Sequence, residues 1–234
     1  PPRSTLFPYT TLFRSNCDCI ITFHPLIFFP LTAITNTDRV GKLCNQIIKN
    51  SISLIAIHTN FDAFPKGTSY IFAKKLNLTP VEFIVPDKNF ENYGMGIIAS
   101  CDLSQSELLL KVHQITKSPM RFSYFDESKR LKSIAIVGGS GISFLDKVMS
   151  MDIQAFITAD VSYHYFHKVK NKLLLIDPGH YEMERFVSLS LSELLIGKID
   201  TSDYEFIKVS SIFTNPVCYY PETGKYLSMQ KNYV

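Results

Sequence analysis

The sequence predicts an α/β protein with largely parallel strand pairing. Short apolar runs of strand length recur along the chain, and most are followed by polar loops and then by stretches with helical spacing. Residues 17–23 are apolar enough for a strand and are halted by Pro25. Residues 37–50 place Val40, Leu43, Ile47 and Ile48 on one helical face, and 54–57 form the next strand. HTNFDAFPKG, residues 58–67, reads as a loop, and 69–78 as a helix. Residues 79–95 contain Pro80 and Pro86 and read as a loop or edge strand, followed by a strand over 95–101. Ser104 with Glu107 forms the capping-box pattern of a helix over 104–116. Strands are expected at 121–125 and 132–137, then the GGSG turn at 138–141 and a helix over 142–149. A strand at 155–158, a helix from Ser162, a strand at 173–176, a helix over 183–195 and a final strand at 205–210 complete the series. Alternation alone does not decide between one domain and two interlocked ones.

Residues 1–15, PPRSTLFPYTTLFRS, back-translate codon for codon into a common sequencing-library adapter and are set aside from fold reasoning. Native sequence is then expected to begin near Asn16, within a longer protein. The tally of 24 Lys and Arg against 21 Asp and Glu gives +3, and without Arg3 and Arg14 it falls to +1. That balance argues against a nucleic-acid face. The longest apolar runs, such as 26–31, are far too short to span a bilayer. Five cysteines at 17, 19, 44, 101 and 218 show no paired zinc-ribbon spacing, so reduced, buried thiols in a cytoplasmic protein are expected.

The histidines carry the functional signal. His24, His58 and His180 each follow an apolar strand run, where open α/β sheets place their ligands. Asp62 lies four residues after His58, and Glu184 four after His180, so His180 and Glu184 share a helical face. Imidazole with carboxylate suits zinc, manganese or iron better than calcium. His164, after the segment 158–160, is a candidate acid, base or substrate contact on the same edge. The GGSG turn lacks the lysine of a P-loop; its amides either cradle an anion or simply make a tight turn. Asp177 precedes a Pro-Gly turn that it could cap.

TFHPLIF, AIHTNFDA, AIVGGSGISFL, FITADVSYH, DPGHYEMER and TNPV occur in an order that resembles the Nif-three-like dinuclear-metal-centre family, also called GTP cyclohydrolase 1 type 2 homologues. The resemblance implies two α/β lobes with mixed, largely parallel sheets, a metal cleft between them, and a homohexamer. The lobes are expected at 16–130 and 131–234, the last strand returning to the first. Carried over residue by residue, the metal ligands are His24, Asp62, His180 and Glu184, holding up to two ions per chain, with His58 lining the pocket. Phe23 stands where many members have a further histidine, and Ala159 where they have glycine. Phenylalanine cannot ligate, so one tight and one weak metal are expected. The implied activity is metal-assisted hydrolysis of a nucleotide-like small molecule, with His164 or His58 moving the proton. The alternative is a metal carrier, reservoir or regulatory partner using the same ligands.

Overall fold

The computed structural model describes residues 17–199 and 207–220. The adapter-like segment 1–15 and the opening residues of the expected strand at 205–210 lie outside them; residues 207–210 carry no strand. The chain divides into two compact units, Thr59–Ser190 and the residues on either side.

The first unit contains a two-stranded parallel sheet of β1 (Cys19–Thr22) and β2 (Ser53–Ala56), joined through α1 (Arg39–Lys49). Asp38 starts α1 by accepting a 2.8 Å bond from the Gly41 amide, satisfying one of the donors that a helix start leaves unpaired. Leu43 and Cys44 pack with Leu26, and Val40, Ile47 and Leu54 close around them.

The second unit starts at Thr59, within a short helix, α2 (His58–Asp62), where the sequence suggested a loop. Then follow α3 (Thr68–Lys75), β3 (Thr79–Pro86), β4 (Gly94–Leu103), α4 (Gln105–Thr116), β5 (Arg121–Phe122) and β6 (Leu131–Ile136). After a 3-10 turn come α5 (Leu145–Met149), β7 (Ala155–Ile157), α6 (Tyr163–Val169), β8 (Leu174–Asp177), α7 (His180–Glu184) and α8 (Val187–Ile196), whose residues from Leu191 onward count with the first unit. The expected capping box of α4 is formed: the Ser104 hydroxyl accepts from the Glu107 amide at 3.2 Å, and the Glu107 carboxylate accepts from the Ser104 amide at 2.7 Å. The helix expected over 183–195 is instead two helices, broken between Glu184 and Val187.

The sheet has six strands in the order β3-β4-β6-β7-β8-β5. Only β6-β7 and β7-β8 pair in parallel; β3-β4, β4-β6 and β5-β8 are antiparallel, so the sheet is mixed with a parallel centre. The proline-bearing segment 79–86 is indeed an edge strand, where a missing amide costs little. Pairing of β4 with β6 and of β5 with β8 runs across residue 130, so a lobe boundary between 130 and 131 does not fit this sheet. The boundary followed from the family resemblance, and strand pairing, being non-local, is not visible in local sequence.

Alternation explains why the central strands read as continuous apolar runs. Ile134 and Ile136 face one layer with Phe72, Leu76, Leu108 and Val112, while Ala135 and Val137 face another with Leu145, Val148 and Val169. Both faces are therefore covered by helices. Of the five cysteines only Cys44 is buried, contrary to the expectation of buried thiols; Cys19 and Cys218 are exposed. Among the described residues, no helix is long and apolar enough to cross a membrane.

Candidate metal site

The parallel strands β6, β7 and β8 deliver three loops to one edge of the sheet, at their carboxyl ends. The loop after β6 is the GGSG turn, the loop after β7 carries Asp160, and that after β8 leads through Gly179 into α7. Gly179 has φ +99°, which glycine tolerates, and turns the chain so that α7 starts at His180. One helical turn then sets His180 and Glu184 side by side, with imidazole Nε2 2.9 Å from Glu184 Oε1.

The other ring nitrogen of His180, Nδ1, lies 2.6 Å from Asp160 Oδ2. Between two carboxylates, the imidazolium is strongly favoured: the hydrogen bond to Glu184 is the largest cause, aided by the charges of Glu184 and Asp160. Partial burial opposes it, yet the His180 pKa is raised to about 9.

Gly139 packs directly beneath this pair. Its φ is +65°, and a Cβ there would stand 2.2 Å from Glu184 Oε1 and 3.3 Å from His180 Cε1. Glycine is thus required twice over, for backbone angle and for room. The same turn is stitched to its neighbours. The Gly138 amide donates to Ser69 Oγ at 3.1 Å and the Gly141 amide to Thr158 Oγ1 at 2.8 Å. Two of the four amides that could have cradled an anion are thereby engaged within the fold, and the turn reads as support for the His180–Glu184 pair. Asp177, buried at the end of β8, accepts from the amides of Val161 and Gly179 at 3.1 Å each and pairs with Arg121. It caps the turn, as its position before Pro178-Gly179 suggested.

In the first unit, Thr22 pairs with Ala56, so the residues after β1 and β2 emerge together. His24 and His58 accordingly lie with ring centroids 5.3 Å apart. Phe23 packs edge-on against both, at 5.0 Å from His24 and 5.9 Å from His58. His58 thus stands next to His24.

Asp62 ends α2 and is half-buried; no cluster of three or more metal-ligand side chains among the described residues includes it. His164 is exposed at the start of α6, its ring 5.8 Å from that of Tyr163. Asp160 is the contact that the sequence reading missed. Its signal was position, directly after a strand on the same edge as His180, but its partner lies 20 residues away at the start of α7.

The donor set fits a divalent transition metal. Two ligand atoms each about 2.1 Å from a tetrahedral ion stand about 3.4 Å apart. Nε2 and Oε1 at 2.9 Å need only a small opening to reach that spacing.

The profile of the Duf34/NIF3 family (NGG1p interacting factor 3) matches residues 10–216. The chain belongs to this family. It is 30% identical over 202 residues to a Lactococcus lactis protein named GTP cyclohydrolase 1 type 2 homolog, covering 84% of this chain and 75% of the relative. A Nostoc protein of the same name is 29% identical over 195 residues, covering 82% and 73%. The Staphylococcus aureus protein SA1388 shares the fold with a TM-score of 0.79 at 24% identity, covering 90% of this chain and 83% of that one.

Proposed function

We propose that this Duf34/NIF3 protein binds zinc, manganese or iron through His180 and Glu184, with His24 and Asp62 completing the set, and hydrolyses a nucleotide-like small molecule. One observation carries the reading: a histidine nitrogen and a carboxylate oxygen 2.9 Å apart on one helical turn, at the carboxyl ends of the parallel strands of a mixed sheet. A bound ion would acidify its water to a pKa near 7, giving hydroxide at neutral pH. The protein's own part is to hold the ligands. Gly139 leaves room for the Glu184 carboxylate, and α7 fixes its spacing to His180. His58 and His164 are the groups proposed to move protons. The nucleotide-like substrate rests on the name of the relatives, GTP cyclohydrolase 1 type 2 homolog. A homohexamer in the cytoplasm, with up to two ions per chain, belongs to the same proposal.

A carrier or regulatory role is favoured by one feature. His164 is exposed and has no carboxylate partner among the described residues to fix it as a base. Metal analysis of purified protein, with a screen of GTP and phosphoesters, separates the two readings. Loss of bound metal in His180→Ala and Glu184→Gln supports the site, and unchanged content in both overturns it. Metal without turnover across the screen supports the carrier. Phe23→His supplies the imidazole that the family resemblance implies at this position, and calorimetric titration should then show two binding steps more alike than in the unmutated protein. Two equal, tight steps before mutation would overturn the assignment of a weak position.

A further inference from the structure

We infer that Asp160 is a positioning residue, which holds the His180 ring so that Nε2 is the nitrogen offered to a metal. The inference rests on the metal reading above and adds to it a residue outside the ligand set.

The geometry is specific. Asp160 Oδ2 lies 2.6 Å from His180 Nδ1, on the side of the ring away from Glu184, which meets Nε2. A carboxylate accepting from Nδ1–H keeps the proton there, leaves the Nε2 lone pair for an ion, and fixes the ring's rotation. The backbone of Asp160 is itself unusual. Its φ is +57°, a left-handed conformation that costs most residues energy and that aspartate and asparagine accept more readily.

Both flanking residues are tied down, which explains how that conformation is held. On one side, the Ala159 amide donates to the Gly139 carbonyl at 2.8 Å. On the other, the Val161 amide donates to buried Asp177 at 3.1 Å, and Arg121 donates to the Val161 carbonyl at 2.9 Å. The loops after β6, β7 and β8 therefore meet at Asp160, and its carboxylate is presented from a clamped backbone. Nothing in the packing requires this side chain, since Asp160 is exposed. Its contact with His180 is what the clamp delivers.

Two variants test this with zinc alone as the probe. Asp160→Gly keeps the backbone conformation open, since glycine adopts positive φ freely, and deletes the carboxylate. Asp160→Asn keeps a neutral acceptor. Zinc affinity, measured by competition with a chelator, should fall about 10–100-fold in Asp160→Gly and by less in Asp160→Asn. In zinc-loaded protein, ring-nitrogen NMR of His180 should show the proton on Nδ1 and the metal on Nε2, and in Asp160→Gly a mixture of ring states. A purely structural role would lower thermal stability without altering the ring state. Affinity within about twofold of the unmutated protein in Asp160→Asn and Asp160→Gly alike, or zinc on Nδ1 in the unmutated protein, overturns the inference. If Asp160→Gly does not fold, unchanged affinity in Asp160→Asn overturns it alone. His180→Ala is the control for the parent reading: if it binds zinc as well as the unmutated protein, the metal site itself is wrong.

Discussion

The two units carry histidines on very different frames. In the second, a six-stranded sheet is covered on both faces, and Ile134, Ala135, Ile136, Phe156 and Ile157 are fully buried. In the first, two strands and one helix enclose a small cluster around Leu26, Leu43 and Cys44, while Ile21 and Ile55 are exposed. Two-stranded sheets are marginal on their own. His180 therefore sits on a rigid support, whereas His24 and His58 follow two short strands and pack with Phe23. The difference teaches that similar chemistry in sequence can have unequal mechanical backing.

The strongest way to break this contrast is to excavate each core. Phe156→Ala should cost about 3–5 kcal/mol in chemical denaturation, because a fully buried ring leaves a large cavity between helices and sheet. Leu43→Ala should cost about 2 kcal/mol, at the low end for such truncations, because little packed structure surrounds it. Equal losses would erase the distinction.

A smaller effect is expected at the glycine turn. Gly139→Ala forces a side chain into positive φ and against the Glu184 carboxylate, at a stability cost of about 1–3 kcal/mol. Because Glu184 must shift, zinc affinity should fall by more than that in Gly141→Ala, whose methyl would meet Val137 and Thr158 instead. Calorimetry of both variants decides whether the turn serves the ligand pair.

The gentlest probe is pH. His180 has a folded pKa raised from 6.5 to about 9, chiefly by Glu184. The folded state therefore binds this proton more tightly than the unfolded state does. The stabilisation is fully present below about pH 6.5 and is lost as pH rises through about 9. Melting of metal-free protein should decline across that window relative to His180→Gln. At pH 7, zinc uptake should release about one proton from this ring, since ligation requires a neutral imidazole. Identical profiles for the variant and the unmutated protein would remove His180 as the source.

Much of this was legible from local pattern. The Ser104–Glu107 capping box, the apolar strands and the i, i+4 spacing of His180 and Glu184 all depend on neighbours in sequence. What failed was non-local or masked by composition. Asn60, Pro65 and Gly67 made 58–67 look like a loop and hid the single turn of α2. The antiparallel partners of β5 and β6 lie far off in sequence, so a largely parallel sheet was expected where the centre alone is parallel. Asp160 became meaningful only once β7 and β8 were seen to be neighbours. Ala159 is accommodated for a reason invisible in sequence: its methyl is wholly buried within the core, and its φ is not positive.

Thr158 has a consequence of its own. Its hydroxyl donates to the Gly139 carbonyl at 3.0 Å and accepts from the Gly141 amide at 2.8 Å, fully shielded from solvent. The glycine turn and the end of β7 are thereby one cooperative piece. Amide protons at Gly141 and Ala159 should then exchange with solvent only through openings that dislodge a whole strand end, not through local fraying. A loop rich in glycine should then be among the slowest-breathing parts of the protein.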